Sequence, residues 1–428
     1  MRARAELFRY CGLDLDARSV VGHFELDGRH FSERVVFEGI DDLTAAPAAA
    51  VAELWYLIAG LSYYKAGAAR TIDLGATRVG PRGRALLDGA LHDGLGEFAY
   101  RNDLDLDDVA VTGGGDAERF APELDPRRVL TPFGGGIDSV VTVTHLSDEL
   151  EQTLFIVSPP SGRFTSLEAT AAVTGLPVVR ATRSLDEQIL RGDDAFYHGH
   201  VPVTTMVTLL AALAGVASGR GGVVMSNEYS SSVPNLVWRG HPVNHQWSKS
   251  LDAEVLIGDA LGELLGDALV AASFLRDRSE LWVAERFSHL RDYHGVFRSC
   301  NRAFTQDDAR RASNWCGECD KCLFINLILA PFLPREALRD IFAGEPLAGR
   351  EREGQLRTLV GLGVEHKPFE CVGDPDESAV ALRAVSTLAQ WRDATQLVEI
   401  ARQTSPGRSF DELLQPQGPT RVPAHWLR

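Results

Sequence analysis

Positive charge is in short supply. Lys and Arg total 43 against 59 Asp and Glu, a formal net charge of -16. That balance argues against nonspecific nucleic-acid binding, which needs basic side chains to neutralise phosphates, so no nucleic-acid partner is expected. Cysteine is sparse too, at six in 428 residues, and three of the six crowd together, which does not fit the disulfide framework of a small secreted domain. The N-terminus, Met1-Arg2-Ala3-Arg4-Ala5-Glu6-Leu7, lacks the apolar core of a signal peptide. Only the stretch from Val201 to Gly219 is uncharged and close to membrane-spanning length. It carries Pro202, Thr204, Thr205, Thr208, Gly215 and Ser218, so a helix buried against a sheet explains it better. The expectation is a cytoplasmic enzyme without a membrane span. There is no repeat or low-complexity tract, and the length predicts two or three domains.

Along the chain, Val20 to Leu26 and Phe31 to Glu38 flank Asp27-Gly28, a hairpin signal. Apolar spacing predicts one helix from about Ala48 to Tyr64 and another from Arg84 to about Tyr100. Residues 1–125 therefore read as an N-terminal α+β domain. From Arg127 strands and helices alternate, the signature of a parallel α/β sheet. Strands are expected at Val129–Phe133, Thr153–Ser158, Pro177–Ala181 and Val223–Met225. This second domain spans 126–345, and a mostly helical C-terminal extension covers 346–428.

Three consecutive glycines, Gly134, Gly135 and Gly136, follow the first of these strands, and Asp138-Ser139 opens the next helix. Strand, glycine turn and helix N-terminus make an anion site, because unpaired amides and the helix dipole both face the ligand. The bland alternative is a βα turn that binds nothing. The Gly-Lys-Ser/Thr ending of a Walker A loop is missing. In parallel sheets ligands bind beyond the carboxyl ends of the strands, which places the polar stretch Asn227 to Lys249 beside the glycines. Glu228, Tyr229, His241, His245 and Lys249 in that stretch can move protons, and Arg239 and Lys249 can hold phosphate or carboxylate. His198 and His200 are weaker candidates. The knot of Gly363 to Pro368 with Cys371 reads as structural. Arg291, Arg298, Arg302, Arg310 and Arg311 could meet a nucleotide diphosphate, with a solvated face as the default.

Cys316, Cys319 and Cys322, with Cys300 upstream, match a tetrahedral thiolate site in which zinc would be structural. Reduced thiols and an iron–sulfur cluster are the alternatives.

The glycine loop resembles the Ser-Gly-Gly-x-Asp-Ser loop of the PP-loop ATP pyrophosphatases, with Gly134 in place of the first serine. The resemblance implies an adenine-nucleotide α-hydrolase-like α/β fold, with Gly134, Gly135, Gly136 and Ser139 cradling the pyrophosphate of ATP and Asp138 acting near magnesium. The cysteine run is similar to one in the deazaguanine nitrile synthases. Further stretches resemble the ATP-dependent UDP-N-acetylmuramoyl-L-alanyl-L-glutamate epimerases of peptidoglycan synthesis. They are Leu57 to Lys65, Pro132 to Ser139, Asn227 to Ser232, His241 to Lys249, Trp315 to Cys322, Ala330 to Leu333 and Val364 to Phe369. This resemblance implies a UDP-linked muramoyl dipeptide substrate whose terminal glutamate is activated as an acyl adenylate, loses its Cα proton and is reprotonated on the other face. Another PP-loop enzyme, such as a nitrile synthase or an amide-forming ligase, and a non-catalytic nucleotide-binding regulator remain open. The sequence does not choose between one base and two.

Overall fold

The structure is a computed structural model, and it describes residues 2–304, 312, 314–363 and 366–427. Twelve strands are present among them: β1 Leu7–Leu15, β2 Ser19–Leu26, β3 Arg29–Glu38, β4 Thr71–Asp73, β5 Ala110–Thr112, β6 Asp125–Pro132, β7 Glu151–Ser158, β8 Val178–Ser184, β9 Arg220–Met225, β10 Leu236–Trp238, β11 His241–Val243 and β12 Val270–Ser273. Ten form one sheet in the order β12-β9-β6-β7-β8-β3-β2-β1-β4-β5, and β10 and β11 form a separate hairpin. The expected hairpin is β2 and β3, turned by Asp27 and Gly28 at positive φ.

The run β12-β9-β6-β7-β8 is parallel throughout, as the alternation of strands and helices predicted. The sheet does not stop at residue 125. β3 pairs antiparallel with β8, and Glu33 and Arg183 form an ion pair at 2.6 Å across that join. The two expected domains therefore share one sheet and the core on one of its faces. The sequence pattern missed this because a strand's partner is not encoded in its own periodicity.

Alternation along β7 sends Phe155 to one face and Leu154 and Ile156 to the other, so both faces must be covered. One face is covered by the helices Ala46–Ala59, Val203–Ala217 and Leu251–Leu265, and the other by Ile137–His145, Glu280–Ser288 and Asp320–Leu329. The long uncharged run is thus a core helix, with Leu209, Leu210 and Leu213 fully buried, each contributing roughly 1.5–3 kcal/mol. Among the described residues no helix is long and apolar enough to cross a membrane. Both expected N-terminal helices are interrupted: the first continues past Ala59 only as the turn Leu61–Tyr64, and the second splits into Pro81–His92 and Gly96–Asn102.

β6 has β7 on one side and β9 on the other, and the chain visits β7 and β8 before returning to β9. The direction of winding reverses there, opening a crevice at the carboxyl ends of β6 and β9. The glycine loop leaves β6, and the stretch from Asn227 leaves β9.

Candidate active site

Gly134, Gly136, Asp138 and Ser139 line a cavity of about 400 Å³ together with Asn227 and Lys249, so the two stretches meet as expected. That volume is in the range of small-molecule sites. Gly135 sits at φ +71°, and a Cβ there would lie 3.0 Å from Leu167 Cδ1. A Cβ on Gly136 would fall 2.7 Å from Ser299 Oγ. The loop is braced from outside by the Arg298 amide, which donates to the Gly135 carbonyl at 3.2 Å. The Ser139 hydroxyl donates to the Gly136 carbonyl at 3.1 Å, within its own first helical turn.

Carboxylate oxygens of Asp138, Glu228 and Glu280 lie within 4.8 Å of one another. Asp138 Oδ1 and Glu280 Oε2 are buried without a hydrogen-bond partner among the described residues. Burial, with the Glu228 charge adding to it, pushes Asp138 up to about 6. Burial, with the charges of Asp138 and Glu228, raises Glu280 well above the carboxylate range. Crowded, desolvated carboxylates with vacant lone pairs are the donor set that a hard divalent cation takes.

Arg276, only 1% exposed, holds the walls in register. It pairs with Glu254 at 2.9 Å and donates to the carbonyls of Glu228 and Lys249 at 3.1 and 2.6 Å. Asn235 donates to the carbonyls of Lys367 and Pro368 at 3.1 and 2.7 Å, and accepts from the His245 amide at 2.8 Å. These bonds carry residues 367–372 into the site. Cys371 lines the cavity with the glycine loop, and so does Lys321.

His245 lies near Cys371, close enough for each to shift the other's ionisation. Its Nδ1 meets Glu97 Oε2, and its ring packs on His200 with centroids 4.3 Å apart. Burial pulls His245 down, but Cys371 and Glu97 outweigh it and hold the ring up at about 9. Burial, with the neighbouring His245 charge, drives His200 to about 4. Burial opposes ionisation of Cys371, yet Lys249 and His245 bring it down to about 6. Lys249 is held above its ordinary range, since Cys371, Glu228 and Asp138 together outweigh its burial.

Of the expected site residues, Gly135, Glu228, Tyr229, His241 and His245 are not among those lining the cavity, and His241 and Tyr229 point away from it altogether. His241 is exposed on the β10–β11 hairpin, 3.8 Å from Asp107, and Tyr229 turns its ring toward Arg408. Of the arginines, Arg298 lines the cavity, Arg302 pairs with Glu318, and Arg310 and Arg311 lie outside the described residues. Cys371, Glu97 and Lys321 were not singled out as site residues by sequence reasoning. The knot around Cys371 is polar, but nothing in its spacing ties it to residues 227–249.

Sγ atoms of Cys300, Cys316, Cys319 and Cys322 lie within 4.8 Å of one another, with Cys319 and Cys316 at 3.5 and 3.6 Å from Cys322. These separations are too long for a disulfide and close to the edge of about 3.8 Å of a tetrahedron with 2.3 Å zinc–sulfur bonds.

A second cavity, of about 900 Å³, is lined by Pro368, Phe369 and Glu370, immediately before Cys371 in the chain. It is lined by Tyr100, Arg101, Arg357, His366 and Phe369, among others. Rings run from Trp238 through Tyr100 to His366 and Phe369 at centroid separations of 4.6–6.0 Å.

A crevice at a sheet reversal, with a glycine turn, clustered carboxylates and paired titratable groups, has the make-up of an enzyme active site. Comparison with known proteins defines which kind. The chain matches the MurL N-terminal domain over residues 1–274 and the MurL C-terminal domain over residues 296–413, and it belongs to the MurL family. Three relatives carry the name UDP-N-acetyl-alpha-D-muramoyl-L-alanyl-L-glutamate epimerase. That of a Micromonospora species is 37% identical over 100% of this chain and 98% of its own length. That of Salinispora tropica is 39% identical over 88% and 82%, and that of Xanthomonas oryzae pv. oryzae 34% over 98% and 96%. Epimerases are isomerases, and the chain is an isomerase of this family.

Proposed function

We propose that the protein inverts the terminal L-glutamate of UDP-N-acetylmuramoyl-L-alanyl-L-glutamate to D-glutamate at the expense of ATP, releasing AMP and pyrophosphate, within peptidoglycan precursor synthesis. The observation that carries this reading is the single cavity shared by the glycine loop, Lys249 and Cys371, in a chain whose relatives bear the epimerase name over nearly their whole length.

The reaction explains why a phosphate loop and proton carriers belong together. The Cα proton of a glutamate is very weakly acidic while its carboxylate is ionised, because removing it would build a second negative charge next to the first. Joining the carboxylate to AMP removes that charge and leaves a carbonyl able to accept the electron pair as an enolate. The amides of Gly135 and Gly136 and the N-terminus of the helix Ile137–His145 face the pyrophosphate end of ATP, as in the PP-loop enzymes. Lys249, held as an ammonium, places a positive charge in the same cavity for the phosphates or the developing enolate. Asp138, Glu228 and Glu280 would hold magnesium, which when bound neutralises phosphate oxygens. Cys300, Cys316, Cys319 and Cys322 would hold zinc in a structural role, tying Cys300 and residues 316–319 to the helix Asp320–Leu329. The second cavity takes the UDP-sugar end, with aromatic faces for uracil and Arg101 and Arg357 for the diphosphate.

The deciding experiment supplies the UDP-linked dipeptide with ATP and magnesium in heavy water. The expected result is AMP release with deuterium retained at Cα of a D-glutamyl product. Only L-glutamate after prolonged incubation would sink the proposal.

A further inference from the structure

We propose that Cys371, at the end of a Glu97–His245–Cys371 chain, is the base that takes the Cα proton of the activated glutamate. This rests on the epimerase reading above and adds to it the identity of the proton-transfer group.

Geometry gives the first argument. Cys371 is half-buried in the wall of the cavity that also holds Gly134, Gly136, Asp138 and Ser139, so it borders the space where an acyl adenylate would form. Its position is fixed from both sides. Asn235 clamps the carbonyls of Lys367 and Pro368, and Gln246 clamps that of Val372 at 2.9 Å. His245 neighbours Cys371 closely enough to couple to its charge, and its Nδ1 is hydrogen-bonded to Glu97. Glu97 is 5% exposed and is itself held by Arg101 at 2.6 Å. A thiol beside an imidazole that a buried carboxylate holds protonated is the arrangement that keeps a thiol ionised.

Elimination gives the second. A base must be unprotonated at neutral pH. Lys249 is held as an ammonium, and His245 stays protonated up to about 9, so both are acids there. His200 is neutral, but its ring is covered by that of His245 and it is not among the residues lining the cavity. Asp138 and Glu228 belong to the carboxylate cluster. Among the described residues lining the cavity, Cys371 is the group that neighbouring positive charges favour as the unprotonated form and that has no cation-binding role.

The step balances without another reagent. The Cα–H bond breaks as the S–H bond forms, and its electron pair moves into the Cα–acyl bond as the carbonyl becomes an enolate. A solvent-derived proton delivered to the opposite face inverts the centre, and the Cys371 thiol returns its proton to solvent. Glu97 and His245 touch no reacting atom in this scheme and are positioning residues.

The test uses the full chain with the UDP-linked dipeptide, ATP and magnesium. In Cys371→Ala and the size-conserving Cys371→Ser, pyrophosphate should still exchange into ATP, while deuterium incorporation at Cα falls roughly 10²–10⁴-fold. Failure of the wild type to exchange pyrophosphate would refute adenylation, and so is distinct from failure of this assignment. Wild-type deuterium incorporation in Cys371→Ala would overturn it. So would an acid-stable acyl group on Cys371 in quenched wild-type enzyme, which would make the thiol a nucleophile. Glu97→Gln should move the alkaline limb of the pH–rate profile to lower pH by destabilising the His245 imidazolium. A purely structural glutamate would lower the whole profile without moving it.

Discussion

The Gln246 side chain donates from Nε2 to the main-chain carbonyl of Val372 at 2.9 Å, joining residues 126 positions apart. Gln246 neighbours His245 and Val372 neighbours Cys371, so this one buried bond sets the spacing between imidazole and sulfur. Its loss strands a carbonyl that is otherwise paired inside the protein.

Gln246→Ala should therefore lower stability by about 1–3 kcal/mol, the cost of an unsatisfied buried group, as read by denaturant unfolding. Deuterium incorporation should fall further than pyrophosphate exchange does, because the glycine loop is untouched. Equal falls in both would separate Gln246 from the positioning of Cys371.

Gly135→Ala places a side chain at φ +71° and against Leu167. Left-handed backbone costs an L-residue about 1–2 kcal/mol, and the loop can relieve it only by moving its amides. ATP-dependent pyrophosphate exchange should drop at least tenfold while the fold persists by circular dichroism.

Metal analysis of the purified chain should find one zinc, lost in Cys319→Ser. Structural zinc contributes directly to folding, so that variant should lose on the order of several kcal/mol and melt at lower temperature. A wild type without metal but equally stable would leave the four sulfurs as thiols.

Tyr100→Ala removes the ring between Trp238 and Phe369. If uracil stacks in that cavity, KM for the UDP-linked substrate should rise about tenfold, from a stacking contribution of ~1–3 kcal/mol. KM for ATP should stay unchanged, and an effect on ATP instead would move the nucleotide-sugar elsewhere.

Epimerisation should follow a bell-shaped pH profile. It rises as Cys371 ionises at about 6, where Lys249 and His245 outweigh burial, and falls at about 9 as His245 loses the proton that Cys371 and Glu97 help it hold. Glu97, His200, Lys249, Lys321, Asp138 and Lys367 are charged or titratable neighbours that shape these limbs. Alkylation of Cys371 by iodoacetamide, followed on its own peptide, should show the same acidic midpoint. A midpoint near that of a free thiol would contradict the ionised pair.

Local signals survived the passage from sequence to structure wherever the information was local. The glycine loop, the helix it opens and the polar stretch after β9 are each coded by neighbouring residues, and the reversal rule for parallel sheets placed them together. His241 and His245 looked equivalent in sequence. Their difference arises because Pro242 and Val243 lie in the hairpin strand β11, whereas Asn235 takes the His245 amide into the interior. Cys371 was invisible as a site residue for a related reason. His245 and Lys249 lie more than a hundred positions away from it, and bonds such as those of Asn235 and Gln246 bring them together. The boundary expected near residue 125 rested on a change of pattern, and pattern does not reveal that β3 completes the edge of β8.

That last pairing has a consequence for how the protein is made. Glu33 and Arg183, which meet across it, are 150 residues apart. While the chain emerges from the ribosome, β3 waits as an open, hydrogen-bond-hungry edge until β8 has been synthesised and the intervening strands have found their order. Pairings of such long range are slow, and an exposed edge invites the wrong neighbour. The alternating Glu33, Arg34 and exposed Ser32 and His30 along β3 put charge and polarity on that waiting edge. The join that makes the two halves one body is also an edge that newborn copies of the chain would offer to one another until β8 is made.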